Sequence, residues 1–109
     1  MSDDKKYKAE IIRGAQYLLP IVIKQGETVI TSENADGVKV CVDTAVATYP
    51  NGGLTFEDGV WYYPITQDLS LTLEEGEVDF QIQVKIGTNV LPSKVQKIKI
   101  GESIIEGTW

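Results

Sequence analysis

"DFQIQVKI", residues 79–86, alternates polar and apolar side chains along its whole length. Phe80, Ile82, Val84 and Ile86 share one face, while Asp79, Gln81, Gln83 and Lys85 share the other. Successive side chains of a strand point to opposite sides, so this spacing predicts a β-strand with one face buried and one in water. The same period recurs along the chain. Val38, Val40 and Val42 alternate with Lys39, Cys41 and Asp43; Trp61, Tyr63 and Ile65 set another strand; Ile98 and Ile100 point inward against Lys97 and Lys99. Turn-forming clusters (SENADG, PNGG, EDG, EEG and GTN) divide these segments at intervals of about 8 to 12 residues, and no convincing stripe of period about 3.6 intervenes. This spacing predicts an all-β chain, read as an immunoglobulin-like antiparallel β-sandwich of about seven to nine short strands. The Cys-Trp-Cys pattern of antibody domains is missing, so the reading concerns architecture and not that family.

Outward from these strands, residues 9–13 read as a short first strand ended by Gly14. Residues 17–25 are apolar on both faces, with Tyr17, Leu19, Ile21 and Ile23 on one and Leu18 and Val22 on the other. Such a strand is either central between two layers or covered by a second subunit. Pro20 has no N–H to give a ladder and belongs at an edge or a bulge. A bulged or edge strand covered by a partner reconciles the two signals. Residues 28–31 suggest a further short strand, and AVATY (45–49) either continues the valine strand or forms its neighbour. Asn-Gly in PNGG is a hairpin signal. After TQD (66–68), Leu69, Leu71 and Leu73 keep an alternating strand phase, and the last strand runs over residues 93–100. The organisation expected is a flexible arm at 1–8, a sandwich domain at 9–101 and a docking tail at 102–109.

A chain of 109 residues fits one domain. The net charge of −6 argues against nucleic acid as a partner, because phosphate binding needs clustered Lys and Arg. The single cysteine, Cys41, allows no intrachain disulfide and suits a reducing cytoplasm. The opening MSDDKKYK lacks an apolar signal core, and no apolar run reaches spanning length, so neither secretion nor a membrane partner is expected.

There is no histidine, which removes most acid–base, triad and zinc schemes. Cys41 sits in a strand with no base to activate it and reads as a packed side chain. Glu74, Glu75 and Glu77 lie in and beside a turn with no shielding pocket, and SENADG has too few alternating oxygen ligands for a calcium loop. No catalytic residue, metal or cofactor is expected. Trp61 and Tyr63 face the core with Ile65, which leaves Tyr62 as the aromatic turned outward. Ile104, Ile105 and Trp109 follow the last strand in a segment too short to build a core. They either fold back or dock onto a neighbouring subunit, and docking is favoured because they would otherwise be exposed. The candidate partner-binding residues are therefore Tyr17, Leu18, Val22, Tyr62, Ile104, Ile105 and Trp109.

Arg13-Gly14, then GVWYYPITQDLSLTLEEGEVDFQIQVKI (59–86), then LPSKVQKIKIGESIIEG (91–107) resemble small proteins of bacteriophages and prophages of Gram-positive bacteria. The resemblance spans residues 11–107 and rests on spaced positions: Arg13-Gly14, residues 65–71, residues 76–84, Ser93 and residues 104–107. The chain departs from it at Lys85, where an arginine is often found one strand position away, and at Trp109, which replaces a small apolar residue. What the resemblance implies is a virion structural or accessory protein with an immunoglobulin-like fold, similar in style to the N-terminal domains of phage baseplate upper proteins. It would be assembled in the host cytoplasm and bind other virion proteins without enzymatic activity, as a head decoration, fibre, neck or baseplate part and as a homo-oligomer. A carbohydrate-binding module that attaches to a host glycan is the alternative; it needs exposed aromatics in line, for which Tyr62, Tyr49 and Trp109 are the candidates.

Overall fold

A computed structural model of the protein describes residues 7–105. Residues 1–6 and 106–109, which hold most of the expected arm and the Trp109 end of the expected tail, lie outside the described residues. In chain order the elements are β1 (Ala9–Ile12), β2 (Tyr17–Ile21), β3 (Lys24–Gln25), β4 (Thr28–Val29), β5 (Gly37–Val42), β6 (Ala45–Tyr49), β7 (Thr55–Glu57), β8 (Val60–Ile65), α1 (Gln67–Thr72), β9 (Gly76–Ile86), β10 (Asn89–Pro92) and β11 (Gln96–Gly101). Among the described residues the elements are β-strands apart from one helix of six residues. The larger sheet has the order β1-β11-β9-β5-β6 with β10 also paired to β9, the smaller has β2-β8-β7, and β3 with β4 forms a two-stranded ribbon.

The alternating stretch 79–86 lies in β9, which is bonded on both edges. One edge pairs antiparallel with β5, from Gly37↔Lys85 to Val42↔Phe80. The other edge is shared: β11 takes the first half, from Ile100↔Gly76 to Gln96↔Phe80, and β10 takes the second, from Pro92↔Gln83 to Asn89↔Ile86. Ser93 fills the gap at the change of partner. Its N–H donates to Ile82 O at 2.7 Å, its hydroxyl accepts from Ile82 N–H at 3.0 Å, and Gln81 Nε2 donates to Ser93 O at 2.8 Å. The last strand therefore starts at Gln96 and not at Ser93, and residues 89–92 form a hairpin strand of their own. Only Val90 and Leu91 are apolar there, too few to register as alternation.

Inward side chains of both sheets meet in one apolar cluster. The larger sheet supplies Val38, Val40, Val42, Phe80 and Ile98 among others, and the smaller supplies Leu19, Ile21, Trp61, Tyr63 and Ile65. Trp61 is fully buried, with Tyr49 and Phe56 rings at 5.1 and 4.7 Å. Its indole N–H donates to Ile30 O at 2.9 Å, which roots the β3–β4 ribbon on the core. Tyr63 OH donates to Ala45 O at 2.7 Å, so both polar tips are satisfied.

Four expectations are corrected. There are eleven strands among the described residues, more than seven to nine, because several are short or broken by a change of partner. Pairing is not wholly antiparallel: β1 runs parallel to β11, Ala9↔Ile98 to Ile12↔Gly101. Its successor β2 belongs to the other sheet, so no hairpin constrains its direction. PNGG does not close a hairpin, since β6 and β7 lie in different sheets. It is a crossing, held by Thr48 N–H to Gly52 O at 3.0 Å and Leu54 N–H to Thr48 O at 3.1 Å. A Cβ at Gly52 would overlap the Thr48 hydroxyl, so the crossing requires glycine. Finally, Leu69 and Leu71 lie in a helix and not a strand. Thr66 caps it by accepting from Leu69 N–H at 3.1 Å, and Asp68 stands in its first turn, where a carboxylate is favoured.

That helix is tied to the β1–β2 turn by buried polar contacts. The Ser70 hydroxyl, fully buried, accepts from Gly14 N–H at 3.0 Å and donates to Ala15 O at 2.8 Å. Gln67 Nε2 donates to Gly14 O at 3.1 Å, and Arg13 Nη2 donates to Leu71 O at 2.8 Å. Gly14 holds φ +92°, outside the range that L side chains adopt readily. Ser70→Ala leaves the Gly14 N–H and Ala15 carbonyl without this partner, at an expected cost of about 1–3 kcal/mol. Thr72→Ala on the exposed side of the same helix should stay within about 0.5 kcal/mol. Urea denaturation of the two variants beside the parent protein checks the contrast.

Candidate functional site

The two sheets present different outer faces. On the larger sheet, Asp79 and Glu77 of β9 stand opposite Lys97 and Lys99 of β11. Lys39, Gln83 and Lys85 continue that surface, and Lys97 Nζ pairs with Asp79 Oδ1. Opposite charges facing across a ladder keep such a face in water, each exposed pair contributing on the order of 0.2–1 kcal/mol. Val46 on β6 opposite Cys41, Val90 on β10 opposite Lys85 and Ile12 on β1 are exposed apolar interruptions of it.

The smaller sheet's outer face is apolar. In β8 the buried Trp61, Tyr63 and Ile65 alternate with Val60, Tyr62 and Pro64, which are turned outward and half-buried. The pairing places Leu18 opposite Pro64 and Pro20 opposite Tyr62. Leu18 is 56% exposed. Thr55 and Glu57 of β7 bound this patch on one side. β2 is one of the two edge strands of its sheet, so Pro20 occupies the edge position its missing N–H demands.

The sequence-derived candidates among the described residues thus fall into four places. Leu18 and Tyr62 come together on the apolar face. Tyr17, at the start of β2, is exposed although it is in phase with the buried Leu19; partial burial still raises its hydroxyl pKa. Val22, 49% exposed, lies past the end of β2 at the mouth of a groove. Ile104 and Ile105 are 94% and 78% exposed, so these two do not fold back onto the sheets, while Trp109 lies outside the described residues. Pro20, Val60 and Pro64 belong to the patch although sequence reasoning did not select them. Their phase in β2 and β8 was the available signal.

The groove, of about 700 Å³, opens between the root of the β3–β4 ribbon and the place where β9 changes partner. Ile23, Ile30, Ile82 and Val84 form its floor, and Val22, Leu91 and Pro92 extend the apolar lining. Lys8 and Lys24 stand in its wall, with no carboxylate among the described residues that line it.

Other chemistry-bearing groups are spent internally. The Cys41 thiol donates to Asp43 O at 3.4 Å, and its pKa is raised by burial and then by the Asp43 charge, which disfavours the reactive thiolate. In SENADG, Asn34 Oδ1 accepts from Thr31 N–H at 2.7 Å and Asn34 Nδ2 donates to Val29 O at 2.9 Å, as in an Asx-type turn. Asp36 accepts from Gly87 N–H.

No protein-family profile matches the chain, and no curated protein matches it in sequence. Among solved structures it is similar to the endo-beta-1,4-mannanase from Thermotoga petrophila, with a TM-score of 0.59 and 13% sequence identity. The similarity covers 90% of this chain and 18% of the enzyme chain, and it shows a shared fold over that segment alone.

Burial, and secondarily the charge Cys41 can carry, push the Tyr63 hydroxyl from 10.0 up to about 12. The folded state therefore holds that proton more tightly than the unfolded state. Its contribution is full below pH 10.0 and is lost as pH rises toward about 12. Stability of the parent protein should fall across this window, and Tyr63→Phe, although less stable at neutral pH for want of the bond to Ala45, should show a shallower fall. Chemical denaturation at stepped pH measures both slopes.

Proposed function

We propose that this chain is a non-enzymatic structural or accessory protein of a bacteriophage particle, and that it works by binding other virion proteins. Its two sheets are read as an immunoglobulin-like sandwich. The observation that carries the reading is the apolar outer face of Leu18, Pro20, Tyr62 and Pro64, set against a charge-laddered face on the other sheet. An apolar patch beside an edge strand is the form a protein-docking surface takes. The exposed Ile104 and Ile105 add a second contact element.

The phage resemblance supports the virion setting, and the structure separates its residues by role. Arg13-Gly14 and residues 67–71 lock a turn to a helix, and Ser93 closes the β9 edge. Ile104 and Ile105 have no comparable internal task. A glycan platform is less well supported, because the Tyr49 ring is packed edge-on against Trp61 and leaves Tyr62 without it as a second surface ring.

Leu18→Glu combined with Tyr62→Ser should leave the melting temperature within a few degrees, since both side chains face outward. The same variant should fail to enter particles of the phage or prophage that encodes the chain, whereas the parent chain enters at a fixed copy number. Quantitative mass spectrometry of purified particles reads both. Absence of the parent chain from particles would overturn the proposal.

A further inference from the structure

We propose that the groove beside β10 receives residues 102–109 of a second copy of this chain, so that copies join head to tail. The inference rests on the structural-protein reading and specifies one of its contacts.

Three observations converge. The groove floor is apolar (Ile23, Ile30, Ile82 and Val84), and its volume of about 700 Å³ holds several large side chains. The segment after β11 supplies such side chains in Ile104, Ile105 and Trp109, and the first two stand in solvent in the single chain. Charge is complementary as well. Among the described residues the lining carries Lys8 and Lys24 and no acid, in a chain of net charge −6, and residues 102–109 carry Glu102 and Glu106 without a base.

Exposure then favours a second copy over the chain's own tail, because Ile104 and Ile105 are 94% and 78% exposed in the single chain and do not return to its groove. Gln96, at the start of β11, lines the groove, whereas Gly101, at its end, pairs with Ile12 at the opposite end of the sheet. At roughly 3.3 Å per residue, β11 puts its end about 16 Å from Gln96, so the segment starts well away from the groove of its own chain. The donating and receiving surfaces differ, so the contact is heterologous and builds rings or open rows of copies.

Sedimentation equilibrium of the full chain tests this. The parent protein should gain mass with concentration, and Trp emission should shift to the blue in step; Trp61 is fully buried in the single chain, so the shift reports Trp109. A tail variant (Ile104→Ser with Ile105→Ser) and a groove variant (Lys8→Glu with Lys24→Glu) should each sediment as single chains with unchanged circular dichroism. Their equimolar mixture should form a species of two chains and nothing larger, because one intact tail and one intact groove remain. Three results would overturn the proposal: a parent protein of single-chain mass at every concentration, tail burial within a single chain, or association that persists in either variant. A chain that stays single in solution yet is present in particles would leave the structural-protein reading standing and remove only this contact.

Discussion

Strand β9 has two hydrogen-bonding edges and one apolar face, and most of the molecule is arranged to satisfy them. β5 covers one edge along six register pairs. The other edge is too long for either partner, so β11 and β10 divide it and Ser93 satisfies Ile82 between them. A buried N–H or carbonyl left open there would cost on the order of 1–3 kcal/mol, enough to make the serine bridge a structural requirement. The apolar face of β9 in turn demands a second layer, which the β2-β8-β7 sheet supplies around Trp61.

The same division that closes the core also shapes the surface. Where β9 changes partner, the wall of the larger sheet is interrupted; opposite, β2 ends at Ile21 and the chain enters the ribbon. The groove is the space left between these two interruptions. The outer faces follow from the alternation: charges on β9 and β11 are matched across the ladder, and β2 and β8 set prolines, Leu18 and Tyr62 outward. An apolar patch beside an edge strand is costly to leave in water, and burial against a partner offsets that cost.

Legibility in the sequence tracks locality. The alternation of β5, β8, β9 and β11 predicts the inward residues, and the missing N–H of Pro20 predicts an edge or a bulge, of which the structure has the edge. The same alternation turns Tyr62 outward and puts Leu18 on the face opposite Leu19. Leu69, Leu71 and Leu73 misled because an i, i+2, i+4 spacing suits a strand while its i, i+4 pair also suits one turn of helix. Thr66 and Asp68, the capping signal, decide between them. PNGG has the backbone conformations of a turn whether the next strand pairs with the last or crosses to the other sheet, and only the position of β6 at a sheet edge separates the two. The groove had no sequence signal, since Lys8, Val22, Ile82 and Leu91 converge only after both sheets form.

The central claim is that the apolar face of the β2-β8-β7 sheet meets other proteins while the charged face stays in water. Hydroxyl-radical footprinting of the chain inside purified particles, compared with the free chain, tests it residue by residue. The account predicts that Leu18 and Tyr62 lose most of their reactivity in the particle while Val46, on the outer face of the larger sheet, keeps its own. Protection of Val46 with Leu18 and Tyr62 still reactive would contradict it.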